Sequence, residues 1–313
     1  MLNLNARAAA LCQSLGDRAA ELQIALAKSN SGTHIVDCGI GTPGGLAAGL
    51  LMAHVCLADL ATVEIAVPGE SPWPIVRVRT DHPTLACMAS QYAGWEVKGD
   101  GYFAMGSGPM RAAAAREPLF ADLEYRETAP RCVGVLETSV EPPEAVCNDI
   151  AAKCGVAPNQ LILFVAPTRS IAGTLQITAR SVETAMHKLH ELKFDLNRVV
   201  SAFGSAPLPP PAAKDLAAIG RTNDAILYGG RVVLYVRGDD ASLEEIGPRM
   251  PSSASADYGR PFAETLAGYG NDFYRVDPLL FSPAEVTFAN LDTGRSFRFG
   301  KVNADVLNRS FGG

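Results

Sequence analysis

Two stretches of this chain echo one another, and no other feature limits its fold as strongly. Pro83-Thr84 opens a run that ends in Ala104-Met105-Gly106-Ser107-Gly108-Pro109. Pro167-Thr168 opens a second run that ends in Ala202-Phe203-Gly204-Ser205-Ala206-Pro207. The hexapeptides share Ala, Gly, Ser and Pro at four of six positions, and a helix pattern lies inside each run. A repeat of this kind implies an α+β chain made of two similar α+β subdomains, a duplication, with an active-site cleft between them. Each small-residue loop then faces that cleft. The plainer alternative is two unrelated strand-end turns, and the unequal lengths of the two runs keep it open. At 313 residues the chain suits two domains, or one large one. The boundary is placed near residue 130, giving a first subdomain over 1–130 with an N-terminal helix and a second over 131–313.

Local patterning fills in the elements. Leu4, Ala8, Leu11, Leu15, Leu22 and Leu26 recur at spacings of three, four or seven, one helical stripe closed by Asn30-Ser31-Gly32. Thr33 to Cys38 reads as a strand, Gly39 to Gly45 as a turn, and Leu46 to about Leu60 as a small-residue helix. Val63 to Val67 and Ile75 to Arg79 read as strands around a Pro-rich loop, Pro68 to Pro74. Helices are expected over Thr84 to Tyr92, Met110 to Arg116, Pro142 to Cys154 (with Gly155 as stop signal) and Ser181 to Leu192. Further strands are Tyr102 to Met105, Cys132 to Glu137, Leu161 to Val165 and Val199 to Phe203. Pro207 to Pro211 forms a stiff connector. Ala225 to Leu227 with Arg231 to Val236, and Phe281 to Ala289 with Arg295 to Phe299, read as hairpins, and Glu244 to Gly259 as a polar surface loop.

Composition excludes several classes. The residues are 48% hydrophobic and the net charge is −6, with no dense basic run, so nucleic acid is not an expected partner. The longest apolar run, Leu46 to Leu60, is interrupted by Gly49, His54 and Asp59 and falls short of the roughly 20 residues a bilayer span needs. The amphipathic start carries Arg7, Asp17, Arg18 and Glu21 and does not read as a secretory signal. Seven scattered cysteines without a CxxC pair fit a reduced cytoplasm.

Four constellations could carry chemistry. Gly39-Ile40-Gly41-Thr42-Pro43-Gly44 matches the dinucleotide fingerprint GxGxxG, with Glu64 further on. Pro43 removes one N–H from a loop that would have to cradle pyrophosphate, so a tight strand-to-helix turn is the preferred reading. Arg180, Glu183, His187 and His190 share one helical face. They could hold a metal, but no further ligand cluster supports one, and by periodicity alone a solvated face with i,i+3 and i,i+4 pairing is the preferred reading. Asp81-His82-Pro83-Thr84 could transfer protons or simply cap a turn. Gly106-Ser107-Gly108-Pro109 and its echo around Ser205 allow a ligand to approach the backbone closely, as tight turns also do. Ser170 and Ser205 lack a GxSxG elbow, so a serine hydrolase is poorly supported.

Longer words break these ties. Thr80-Asp81-His82-Pro83, Ala86-Cys87-Met88-Ala89-Ser90-Gln91-Tyr92-Ala93-Gly94-Trp95 and Tyr102-Phe103-Ala104-Met105-Gly106-Ser107-Gly108-Pro109 resemble methenyltetrahydromethanopterin cyclohydrolase. So do Val165-Ala166-Pro167-Thr168, Ser170-Ile171-Ala172-Gly173, Gln176-Ile177-Thr178-Ala179-Arg180-Ser181-Val182-Glu183-Thr184-Ala185, the Asp37 to Gly49 turn, and Asn223-Asp224 to Tyr228-Gly229-Gly230. The wording is closer to the bacterial branch found in methylotrophs. The resemblance implies reversible hydrolysis of 5,10-methenyltetrahydromethanopterin to its 5-formyl form, a step of formaldehyde oxidation. It also implies a cytoplasmic homotrimer with no metal or redox cofactor and a small reduced pterin as its partner. The catalytic pair it implies falls on Arg180 and Glu183. Asp81, Gln91, Ser107, Gly108 and Ser205 are the expected pterin contacts, from loop chemistry and motif density. The alternatives are a nicotinamide dehydrogenase using the Gly39 loop and a pterin-binding protein without turnover.

Overall fold

The computed structural model describes residues 2–67, 72–270, 272 and 275–312. Pro68 to Ser71 of the expected Pro-rich loop lie outside the described residues. In chain order the elements are α1 (Leu4–Leu11), α2 (Leu15–Leu22), β1 (Ala25–Lys28), β2 (His34–Asp37), α3 (Leu46–Cys56), β3 (Ala61–Ala66) and β4 (Ile75–Thr80). A π-helix (Thr84–Gln91) follows, then β5 (Trp95–Gly99), β6 (Tyr102–Ser107), α4 (Met110–Ala114), α5 (Leu119–Leu123), β7 (Cys132–Glu137), α6 (Glu144–Cys154) and β8 (Leu161–Ala166). The remainder is α7 (Ile171–Thr178), α8 (Ser181–Glu191), β9 (Val199–Pro207), α9 (Asp215–Leu227), β10 (Arg231–Val236), α10 (Asp240–Ile246), α11 (Phe262–Gly268), β11 (Glu285–Asn290), β12 (Ser296–Gly300) and α12 (Ala304–Gly312). The fold is α+β with two six-stranded sheets. No helix of the described residues is long and apolar enough to cross a membrane.

The chain forms two compact units, each assembled from two segments: Met1–Ala61 with Leu85–Gln176, and Thr62–Thr84 with Ile177–Gly313. The division is therefore not one cut near residue 130. Both repeat runs begin in one unit and end in the other. Pro83-Thr84 follows β4 of the second unit and its run ends in β6 of the first. Pro167-Thr168 follows β8 of the first unit and its run ends in β9 of the second. Equal strand numbers are consistent with duplication, but the pairings differ. The first sheet has three adjacent parallel strands, whereas in the second the described parallel pair is β10 with β11.

The first unit's sheet has the order β1-β2-β8-β7-β6-β5. β2, β8 and β7 run parallel, and β1, β6 and β5 each run antiparallel to their inner neighbour. Alternate side chains of β7 and β8 point to opposite faces, and both faces are covered, which is why these strands read as unbroken apolar runs. Leu136, Leu161 and Leu163 pack with Met110 of α4 and with Val146 and Ile150 of α6. On the other face Val133, Val135 and Phe164 pack with Ala8, Met52, Val55 and Ala172. The single N-terminal helix expected from the sequence is instead α1, α2 and a strand. Two short helices satisfy the three-and-four spacing, since Ala8, Leu15 and Leu22 share one core cluster. Gln23 then turns left-handed, at φ 54°, and Leu26 lies in the exposed edge strand β1.

The second unit's sheet has the order β12-β11-β10-β9-β4-β3. Its alternation is clean: Val76, Val78, Ala202, Val232 and Leu234 are buried, while Arg77, Arg79 and Arg231 are exposed. Helix α8 packs against β9, β10 and β4. Helices α9, α11 and α12 form a separate cluster around Leu227, Phe262, Leu266, Val306 and Phe311.

Two further expectations are corrected here. Ala225 to Leu227 is the last turn of α9, not a hairpin strand, and β10 pairs with β9 and β11 instead. Three apolar residues cannot distinguish helix from strand by period. Most of Glu244 to Gly259 is also no polar loop. Asp239 caps α10 by accepting the Ser242 N–H at 2.7 Å, and Leu243, Ile246 and Met250 are buried at helical spacing. The expected hairpin near Asp292 is present as β11 and β12.

Candidate active site

The chain kinks between α7 and α8, and the kink delivers Arg180 and Glu183. The Arg180 N–H donates to Ile177 O at 3.0 Å, which closes α7. The Arg180 carbonyl then accepts both the N–H and the hydroxyl of Thr184, each at 2.8 Å, which starts α8. Arg180 is thus the N-cap residue and Glu183 the third residue of the helix. Glu183 therefore lies in the first turn of α8. The positive end of the helix dipole stabilises negative charge there, and a guanidinium one turn away does the same. Arg180 is 5% exposed and Glu183 6%. Two charged side chains are not buried at one helix start without compensation from each other or from neighbours.

Small residues on the sheet admit this helix start. A Cβ at Gly204 would lie 2.5 Å from Ser181 Oγ and 2.8 Å from Val182 Cγ2. The Gly-Ser signature in β9 therefore serves helix packing. At its far end α8 is anchored by Lys188, whose buried ammonium donates to Leu279 O. Burial pulls its pKa down to about 8, against the opposing field of Asp277.

The other expected residues are placed as follows. Ser205 lies inside β9, paired with Arg231 and Arg77, rather than in a loop. Its side chain alternates with Gly204, so it points to the sheet face away from α8. The structure does not bring Ser205 together with Arg180 and Glu183. Asp81 is exposed and accepts the Ser201 hydroxyl at 2.6 Å. His82 N–H is bonded to Thr80 Oγ1 at 3.0 Å, so this segment is a hydroxyl-closed turn.

In the first unit, Gln91 ends the π-helix, where Tyr92 N–H reaches back five residues to Cys87 O at 2.8 Å. Ser107 ends β6 and is fully buried, with its hydroxyl 3.5 Å from Cys56 Sγ. Gly108 adopts φ +89°, a glycine conformation, and donates its N–H to Ser90 O at 2.9 Å. His187 and His190 each approach Glu191, at 3.7 and 3.9 Å. No group of three or more His, Cys, Asp or Glu suited to a metal ion occurs among the described residues.

The GxGxxG loop has a different occupant from the one the fingerprint predicts. Asp37 accepts the N–H groups of Gly39 at 2.8 Å and Ile40 at 2.6 Å on one oxygen, and that of Gly41 at 2.7 Å on the other. The donors that would cradle pyrophosphate already hold an internal carboxylate.

Sequence reasoning passed over Glu137, read only as a strand end. It is half-buried at the carboxyl end of β7 and accepts Gln176 Nε2 at 3.1 Å. A charged residue closing an otherwise apolar strand was the available signal.

A family model described as "Cyclohydrolase (MCH)" matches residues 3–311. A protein of Xanthobacter autotrophicus named methenyltetrahydromethanopterin cyclohydrolase is 48% identical over 307 residues, covering 97% of this chain and 91% of its own. A protein of that name from Methylobacillus flagellatus is 46% identical over 304 residues, covering 96% and 93%. Another from Methanococcoides burtonii is 39% identical over 317 residues, covering 100% and 99%.

Proposed function

The chain belongs to the cyclohydrolase (MCH) family, and from that membership we propose that it hydrolyses 5,10-methenyltetrahydromethanopterin reversibly to 5-formyltetrahydromethanopterin. The observation that carries the mechanism is the buried carboxylate and guanidinium at the start of α8.

The substrate carbon lies between two nitrogens and bears positive charge before it meets the protein. No Lewis acid is needed to make it electrophilic, and we read the reaction as independent of metal and redox cofactors. The enzyme has to supply an oriented, deprotonated water. Glu183 takes one proton as the water oxygen bonds to the methenyl carbon. Arg180, always cationic, keeps that carboxylate oriented and available as a base. The adduct then collapses: the C–N10 bond breaks, N10 receives the proton from Glu183, and the hydroxyl loses its proton to become the formyl carbonyl. The cation and water thus yield the 5-formyl compound and one proton.

Asp81, Gln91, Ser107 and Gly108 remain proposed contributors to pterin binding. For Ser107 this is indirect, because its hydroxyl is buried against Cys56. For Ser205 the orientation of its side chain argues against a contact with the reacting carbon. A cytoplasmic homotrimer acting in formaldehyde oxidation is part of the same reading and is supported by the family alone.

The test is loss of the methenyl absorbance on adding purified protein, with tetrahydromethanopterin and tetrahydrofolate derivatives in parallel. Turnover of the methanopterin derivative is expected. Binding without turnover would overturn the proposal in favour of a pterin-binding protein.

A further inference from the structure

The first unit contains a pocket of about 220 Å³ that the proposed reaction does not use. It lies where the junction of α1 and α2 meets β1, β2 and the amino ends of β7 and β8. Strand register explains how it is built. Leu26 of β1 pairs with Val36 of β2, and Lys28 pairs with His34, so these four side chains share one face. His34 pairs in turn with Ile162 of β8. Leu15, Val36 and Ile162 belong to the core cluster on that face and give the pocket an apolar floor. Gln13, His34 and Arg131, which immediately precedes β7, give it a polar rim.

The rim offers donors and no acid. The residues lining the pocket include no Asp or Glu. Arg131 uses Nε on Gln160 Oε1 at 3.4 Å, and its two terminal nitrogens meet no acceptor among the described residues. The His34 ring and the Gln13 side-chain amide have no hydrogen-bond partner among those residues either. Burial lowers the His34 pKa, and the charges of Lys28 and Arg131 lower it further. The field of Arg131 also reaches the Cys12 thiol, where it opposes the larger effect of burial. One guanidinium thus sets a positive potential on both sides of the opening, from the helix junction to β2. Beside it Leu26 is 45% exposed, which leaves apolar surface for a ligand to cover.

We propose that this pocket binds a small organic carboxylate with an apolar body, either a single aromatic ring or a short branched chain. The carboxylate meets the terminal nitrogens of Arg131, whose planar fork matches its two oxygens. His34 and Gln13 each supply a further N–H. The body covers Leu26 and rests on Leu15 and Val36, which removes apolar surface from water. Pockets for drug-sized ligands run to roughly 300–1,000 Å³, so this smaller one takes about one ring. Its apolar floor favours a monoanion over phosphate, whose extra charge would lose water without gaining a partner. The assignment stands whether or not the chain turns over a methenyl pterin.

The test is calorimetry on the purified protein with benzoate, benzyl alcohol, acetate and inorganic phosphate. Benzoate should bind saturably with a Kd of about 1 mM or tighter, and roughly tenfold more tightly than the other three. Arg131→Gln, at an exposed position, should weaken benzoate roughly tenfold and abolish its preference over benzyl alcohol. Leu26→Ala should weaken benzoate severalfold and leave acetate unchanged. Benzoate should also shift the NMR signals of the His34 ring, which locates it in this pocket. Absence of saturable benzoate binding, undiminished affinity in Arg131→Gln, or unmoved His34 signals overturns the assignment. Phosphate binding as tightly as benzoate overturns it in favour of a plain anion site. Should Arg131→Gln fail to fold, Leu26→Ala is read in its place, and unchanged benzoate affinity there is equally fatal.

Discussion

Ser310 donates its hydroxyl to Asp224 Oδ2 at 2.6 Å, fastening α12 to α9, while the other oxygen of Asp224 accepts the Phe262 N–H at 2.8 Å and so fastens α11. One fully buried carboxyl group thus holds three helices together. Burial raises its pKa from 3.8 to about 7, against the two hydrogen bonds, which lower it. The folded chain therefore holds a proton that the unfolded chain releases near pH 4. The stabilisation is complete below that pH and is lost as pH rises through about 7. Asp224→Asn should flatten this dependence and raise Tm at pH 8, by up to a few kcal/mol of unfolding free energy. Thermal melts from pH 4 to 8 check it, and an unchanged slope would refute the assignment.

Glu183→Gln should leave folding and KM close to wild type and lower kcat by roughly 10²–10⁴-fold, the usual contribution of a positioned general base. Arg180→Ala should also lower kcat and should shift the pH–rate profile. Arg180→Lys should restore little, because a point charge does not reproduce the planar fork. Near-normal turnover of Glu183→Gln removes Glu183 from the chemistry.

Gly204→Ala should shift the start of α8, since the new Cβ would meet Ser181 Oγ at 2.5 Å and Val182 Cγ2 at 2.8 Å. A loss of about 1–3 kcal/mol in denaturant unfolding is expected, with a drop in kcat. Ser181→Ala in the same chain should recover part of both. A fully stable and active Gly204→Ala would mean that the helix start tolerates displacement.

Asp37→Asn should destabilise the first unit, because one amide oxygen cannot accept the three N–H groups now shared between two carboxylate oxygens. A loss of roughly 1–3 kcal/mol per unsatisfied donor is the scale. Calorimetry should find no NAD binding to wild type or variant. Measurable NAD binding to the wild type would revive the dinucleotide reading of the loop.

Much of the secondary structure was legible. Cys132–Glu137 matches β7 residue for residue, and the ends of β8, α6 and α8 differ from expectation by no more than two residues. These elements are bounded by local signals such as Gly155, whose left-handed φ of 70° ends α6. Trp95–Gly99 was passed over for its shortness, although Trp95-Glu96-Val97-Lys98 alternates apolar and polar and Asp100-Gly101 follows as a hairpin signal; it is β5, paired with Tyr102–Ser107. Leu4 to Leu26 misled because two helices and a strand kept the spacing of one helix.

What the sequence determined by itself is whatever a few neighbouring residues control: the strands, the helix caps, and the one-turn separation of Arg180 and Glu183. Hydrogen bonds and side-chain periods over three or four positions settle these locally. Tertiary structure alone decided that Asp37 fills the glycine loop, that Ser205 faces away from α8, and that Glu137 accepts the amide of Gln176. Each depends on which strand pairs with which and which helix covers which face. Those choices are made by apolar residues a hundred or more positions apart, such as Met52 and Phe164, whose burial in one cluster no local pattern encodes.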